Sequence, residues 1–214
     1  MRVAIAGGHG KIALRLTRLL RDRGDSVLSI IRKAEQSEDV QSQGGEPVVC
    51  DLETVSADDL AKIIGPVDAV VFAAGAGPGS GAVRKETVDY GAAAKLLGAA
   101  KKNAIPRYLM ISSTGADPNV TGDDTFSVYL RAKGRADDRL IKSGLEYTIV
   151  RPTRLTDDPG DGRVHVAEHV DRGQVPRNDV AAVLAASLYE PATTGKVFEV
   201  TDGEVPVEEA LRSL

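Results

Sequence analysis

The sequence predicts an α/β fold, a doubly wound parallel sheet with a small C-terminal lid. Three observations predict it. Short β-branched runs alternate with longer Ala- and Leu-rich runs as far as Arg151, the pattern of repeated βαβ units. The runs read as strands are apolar almost throughout, as in Val67–Ala74 with Asp68 the one exception, which suits a sheet covered on both faces. The first strand also passes straight into a glycine turn that opens a helix.

The elements follow in order. Val3–Ala6 is the first strand, and a helix near Gly10–Arg23 presents Ile12, Leu16, Leu19 and Leu20 on one face. Strands at Ser26–Ile31, Glu46–Cys50, Ala69–Ala73, Tyr108–Ser112 and Tyr147–Arg151 are rich in Val, Ile, Leu and Tyr. Helices near Ala57–Ile64, Arg84–Asn103 and Ser127–Ser143 lie between them. Right-handed crossovers then wind the sheet in the Rossmann manner. After Arg151 the rhythm breaks at Pro152, Pro159, Gly160, Gly162, Gly173 and Pro176. A short strand at Arg163–Ala167, a helix of about ten residues from Val180 capped by Asn178-Asp179, and a last strand at Lys196–Thr201 complete the chain. The 214 residues suit one domain, 1–214, in which 152–214 form a substrate or lid annex unable to fold alone.

Composition narrows the function. A net charge of -4 with interspersed signs provides no basic field for nucleic acid or anionic membrane. No apolar segment reaches membrane-spanning length, and no signal-peptide pattern is present at the N-terminus. A single cysteine, Cys50, points to a reducing, cytoplasmic setting and reads as a buried, inert thiol. Three scattered histidines and that cysteine lack metal-ligand spacing, so no metal site is expected. Oligomeric state is not legible.

The chemistry starts at the glycine turn. Gly8-His9-Gly10-Lys11-Ile12-Ala13 fits G-x-G-x-x-A, and Gly7, Gly10 and Ala13 fit G-x-x-G-x-x-A. Glycines let the backbone approach a pyrophosphate, and the first helical N–H groups then point at the anion. His9 either faces those phosphates or is a solvated loop residue. After the second strand, where an NAD site places Asp or Glu, the chain has Arg32-Lys33. A guanidinium can grip a 2′-phosphate in bidentate fashion, which favours NADP over NAD, although two surface cations are the plainer alternative. Asp51 ends the third strand and either accepts from an adenine amino group or makes a turn. Ala73-Ala74-Gly75 lets the backbone pass close to a flat ligand. The glycine-rich Gly75–Gly81 loop is either a gate over the cleft or a surface connection.

Tyr129 and Lys133 stand four apart, on one helix face. A nearby ammonium favours phenolate, and such a tyrosine can exchange a proton with a carbinol oxygen, with Ser112 or Ser113 holding the same oxygen. An ordinary exposed i,i+4 pair is the alternative.

Taken in order, these features resemble the atypical short-chain dehydrogenase/reductases, most of all their NAD(P)H-binding, NmrA-like subgroup, which is similar to flavin and biliverdin reductases. The stretch Gly144–Pro152 is the most distinctive part of the resemblance. It implies that Gly7 to Ile12 hold the pyrophosphate, Arg32 the 2′-phosphate and Asp51-Leu52 the adenine. Ala73 to Gly75 would line the adenosine side. Ser112, Lys133 and Pro152-Thr153 would surround the nicotinamide ribose and ring, and Tyr90 would face the cofactor. The leading expectation is an NADP-dependent oxidoreductase passing hydride to a small carbonyl, quinone or similar acceptor. Tyr129 would supply the proton and Ser113 would orient the substrate. A non-catalytic NADP(H) sensor is the second reading. A sugar-nucleotide epimerase or dehydratase is the third, ranked last because so little chain follows the sixth strand.

Overall fold

Alternation within the first strand layers the molecule. In β1 (Arg2–Ala6), Val3 and Ile5 point to one side of the sheet, Ala4 and Ala6 to the other, and all four are fully buried. Helices must then cover both faces. The computed structural model describes residues 1–77 and 79–214; Pro78, inside the expected gating loop Gly75–Gly81, lies outside the described residues.

The remaining strands are β2 (Ser26–Ile31), β3 (Glu46–Val49), β4 (Ala69–Phe72), β5 (Arg107–Ile111), β6 (Glu146–Pro152), β7 (Arg154–Thr156), β8 (Arg163–Ala167), β9 (Gln174–Pro176), β10 (Lys196–Asp202) and β11 (Val205–Pro206). Nine of them form one sheet in the order β11-β8-β10-β6-β5-β4-β1-β2-β3. From β10 to β3 every pairing is parallel, and β8 runs antiparallel to β10 and β11. β7 and β9 form a separate parallel pair. The expected α/β sheet is therefore present. Connection order reverses at β1, whose neighbours are β2 and β4, and a ligand crevice opens at the carboxyl ends of strands at such a point.

The helices are α1 (Lys11–Asp22), α2 (Ser37–Ser42), α3 (Ala57–Ile64), α4 (Ala82–Arg84), α5 (Ala93–Lys102), α6 (Thr125–Ile141), α7 (Arg177–Ser187) and α8 (Val207–Arg212). On one face Leu16 and Leu20 of α1, Val180 and Leu184 of α7 and Leu211 of α8 pack on Val3, Ile5, Val71 and Val150. On the other, Leu60 of α3, Leu96 of α5 and Leu140 of α6 pack on Ala4, Val70, Phe72 and Tyr108. No helix among the described residues is long and apolar enough to cross a membrane.

Three features differ from expectation. The stretch read as a regular helix over Arg84–Asn103 is α4, then a π-helix over Lys85–Ala92, then α5. Eight residues are too few to reveal a changed period, and π-turns gather at functional sites. α7 begins at Arg177 after Pro176, without a side-chain cap. Asn178 instead accepts from Arg15 of α1, and Asp179 accepts from the Gly162 N–H at 2.9 Å. Third, the C-terminal quarter is woven into the main sheet, because β10 pairs with β6 from Lys196 to Val200.

Candidate functional site

Two cavities lie along the carboxyl edge of the sheet and meet at Ala73, Ala74 and Gly75. The first, about 340 Å³, is bounded by the glycine turn, the ends of β2 and β3, and the π-helix. The second, about 490 Å³, continues between the π-helix and α6.

The glycine turn is shaped for close approach. Gly7 has φ +82°, and a Cβ there would sit 2.6 Å from Ala74 Cα, so a side chain does not fit. A Cβ on Gly8 would strike Ser29 Cβ at 2.6 Å, and Gly8 therefore seals the turn onto β2 without lining the cavity. Gly10 is the N-cap of α1 and offers no side chain, which leaves the first-turn N–H groups uncapped beside the cavity.

His9 also lines this cavity, in a relay that sequence reasoning missed. Its Nε2 donates to Asp39 at 2.6 Å, which leaves Nδ1 to accept from Gln36 Nε2 at 3.2 Å. Gln36 Oε1 in turn accepts from the backbone N–H groups of Arg32 and Lys33, each at 3.1 Å. One glutamine thus fixes the glycine turn against the end of β2. Arg32 is exposed, lines the cavity, and makes no side-chain hydrogen bond or ion pair among the described residues. Lys33 points away.

Asp51 and Leu52 line the far side; Asp51 Oδ1 accepts from the Glu53 N–H at 2.9 Å, so it also shapes the turn. Glu53 was not foreseen. Hydrogen bonds from Arg84 and Thr87 hold its carboxyl below the usual range and tie the turn to the long helix. Cys50 is buried, and burial pushes its thiol up.

The second cavity brings Ser112, Tyr129, Lys133 and Ile12 together. Lys133 is not the exposed ammonium of the alternative reading. It is 3% exposed, donates to the Ile111 carbonyl at 2.9 Å and pairs with Asp89 at 3.5 Å. Asp89, on the π-helix, is 1% exposed, accepts weakly from the Ala76 N–H at 3.3 Å, and keeps Oδ1 without a hydrogen-bond partner beside the cavity. The cation nearest the Tyr129 ring is Lys85, whose Nζ lies 5.3 Å from the ring centroid and donates to the Gly77 carbonyl. Phe126 stacks on Tyr129 with centroids 6.1 Å apart, and it is 64% exposed at the cavity mouth. Asp89, Lys85 and Phe126 escaped the sequence reading. One signal was available: Asp89 interrupts the apolar face that Val88, Ala92, Ala93 and Leu96 otherwise form.

Other expected residues lie elsewhere. Tyr90 turns away from the cleft because Asp89 takes the inward position; its ring lies under the Arg135 guanidinium at 4.0 Å and its hydroxyl accepts from Arg139. Lys11 leaves the turn to pair with Asp157, which also holds Arg177. Ser113 Oγ donates to the neighbouring Thr114 carbonyl and lines neither cavity. Ser112 Oγ donates to Asp137, whose carboxylate also pairs with Arg151 at 2.9 Å; burial outweighs that pairing and raises the Asp137 pKa. Pro152 and Thr153 line neither cavity, and the Thr153 N–H donates to the Val200 carbonyl. Leu155 is the one residue of 152–214 that lines either cavity among the described residues.

The sequence is similar to known proteins along its whole length. An NAD(P)H-binding family model matches residues 7–191. A Bacillus subtilis protein named as an uncharacterized sugar epimerase, YhfK, is 37% identical over 215 residues, with both chains fully covered. A solved structure from Bacillus halodurans, provisionally titled an NAD-dependent epimerase/dehydratase, is 37% identical with a TM-score of 0.92 and full coverage of both chains. The oxidoreductase ylbE of Lactococcus lactis is 26% identical with a TM-score of 0.85, covering 100% of this chain and 96% of that one. The glycine cradle, the paired cavities at the sheet's switch point and these similarities converge: the chain belongs to the NAD(P)H-binding family of Rossmann-fold proteins.

Proposed function

We propose that the protein is an NADP-dependent oxidoreductase acting on a small carbonyl, quinone or similar acceptor. One observation carries the reading: the two cavities form a single trough around the glycine turn, with a bare guanidinium at one end and a tyrosine at the other. Gly7 and Gly10 fit a pyrophosphate because their missing side chains leave room that a Cβ would fill. Bound there, the nicotinamide supplies the hydride. Arg32 holds the 2′-phosphate, Asp51 and Leu52 bracket the adenine, and Ala73 to Gly75 admit the flat middle of the ligand. Asp89 Oδ1, which faces the Lys133 ammonium at 3.5 Å and makes no hydrogen bond, takes a hydroxyl of the nearer ribose, while Lys133 holds Asp89 in place. Tyr129 keeps the proton that the acceptor oxygen takes. Phe126 covers the mouth and limits water.

Arg32→Ala is expected to weaken NADPH binding by about 1.5–3 kcal/mol, roughly ten- to a hundredfold, and to leave NADH unchanged. Fluorescence titration of both nucleotides reads this directly, and equal losses would remove the phosphate role of Arg32. NADPH oxidation against a panel of quinones and aldehydes tests the activity. In that assay Tyr129→Phe should slow turnover by about a hundredfold at unchanged NADPH affinity. A protein that binds NADPH and does not oxidise it with any acceptor of the panel is a sensor.

The epimerase wording among the relatives gives that chemistry a hearing. The second cavity, at 490 Å³, must already take the nicotinamide end of the cofactor and leaves little room for a nucleotide sugar. Interconversion of nucleotide sugars without net loss of NADPH absorbance would favour the epimerase.

A further inference from the structure

A third pocket, lined by the C-terminal segment, holds carboxylates that no cation pairs with among the described residues. Asp158, Asp161, Asp179 and Asp202 line it together with Thr156, Gln174 and two prolines. One carboxylate oxygen from each of Asp161, Asp179 and Asp202 lies within 4.8 Å of the others. None of the three forms an ion pair with Lys, Arg or His among the described residues.

Acidic clusters are common on surfaces and mean little alone. A separate observation marks this one. Asp179 is 2% exposed, and while its Oδ1 accepts from the Gly162 N–H, its Oδ2 has no partner. Thr156 Oγ1, lining the same pocket from β7, is likewise inaccessible and unpartnered. A buried carboxylate oxygen and a buried hydroxyl, both without partners and beside three further carboxylates, are costly in a protein interior. The helix dipole at the start of α7 answers part of the Asp179 charge. The chain also keeps this arrangement at close range: a Cβ on Gly160 would fall 2.3 Å from Asp179 Oδ1, so the loop crosses directly over the carboxylate.

We propose that Asp161, Asp179, Asp202 and the Thr156 hydroxyl form a site for a hard divalent cation. Oxygen-only ligands exclude a preference for soft metals. Two of the carboxylates are exposed, Asp161 on a loop and Asp202 at the last position of β10, and such a partly adaptable set suits calcium better than magnesium, which demands a near-ideal octahedron. The cation would join the 158–161 loop, the start of α7 and the end of β10. Asp157, one residue before that loop, holds Lys11 and Arg177, so the site would brace the first turn of α1 from outside the cleft. The proposal is independent of the reaction assigned to the cleft.

Calorimetry of chelator-stripped, full-length protein with calcium chloride tests it. The expected result is one saturable site with Kd between about 10⁻⁵ and 10⁻³ M. Asp161→Asn and Asp202→Asn, both at exposed positions, should each weaken it at least about tenfold. The thermal midpoint of the parent should rise by a few degrees at saturation, roughly in line with ligand linkage, and that rise should vanish in both variants. No heat and no thermal shift with calcium, magnesium or manganese would overturn the site, as would a shift of equal size in the parent and both variants.

Discussion

Lys133→Met should lower stability by about 3–5 kcal/mol, because it leaves the Asp89 carboxylate buried and unpaired. The side chains of the pair are 4% and 1% exposed, so water cannot take over from the ammonium. The Ile111 carbonyl also loses its donor. Urea denaturation reads the loss. The double variant Lys133→Met/Asp89→Leu removes both charges and should recover most of it, since apolar replacement of a whole buried pair is often neutral. Single and double variants equally destabilised would show that the two charges do not stabilise each other.

Gly7→Ala carries the second large effect. The residue adopts φ +82°, and its new methyl would sit 2.6 Å from the Ala74 Cα and 2.7 Å from the Ala74 nitrogen, which are backbone atoms that cannot turn aside. A left-handed conformation alone costs about 1–2 kcal/mol for a residue with a Cβ. The clash adds to it and displaces either the glycine turn or Ala74, both of which wall the first cavity. NADPH affinity should drop by more than about a hundredfold, since phosphate positioning tolerates little displacement. Gly24→Ala is the control. Gly24 has φ +88° with nothing within 4 Å of its Cβ position, so it should show the conformational cost and keep the affinity. Equal behaviour of the two variants would mean that close approach at Gly7 is not what the glycine is for.

Local chemistry made most of the fold legible. β1, β2, β4 and β5 are buried strands with mostly apolar sequences, β6 has an apolar buried centre at Ile149-Val150, and α1 shows its apolar stripe in Ile12, Leu16 and Leu20. What escaped was short or set by tertiary contact. β7, β9 and β11 are two or three residues long and carry no periodicity. The π-helix differs from an α-helix by under one residue per turn, which an eight-residue stretch cannot display. In the site, the glycine turn was readable because its geometry is local. The partners of Lys133 were not, because Asp89 reaches it only when the π-helix packs on α6. Likewise Gln36, Glu53 and Arg84 act through neighbours distant in sequence.

Both margins of the nine-stranded sheet end in a strand with a proline: Pro47 in β3 and Pro206 in β11. Proline has no N–H to give an approaching strand, and β11 is only two residues long. A wide parallel sheet of very apolar strands would otherwise recruit copies of itself edge to edge. Its borders are blunted at the two places where such stacking into fibres would begin.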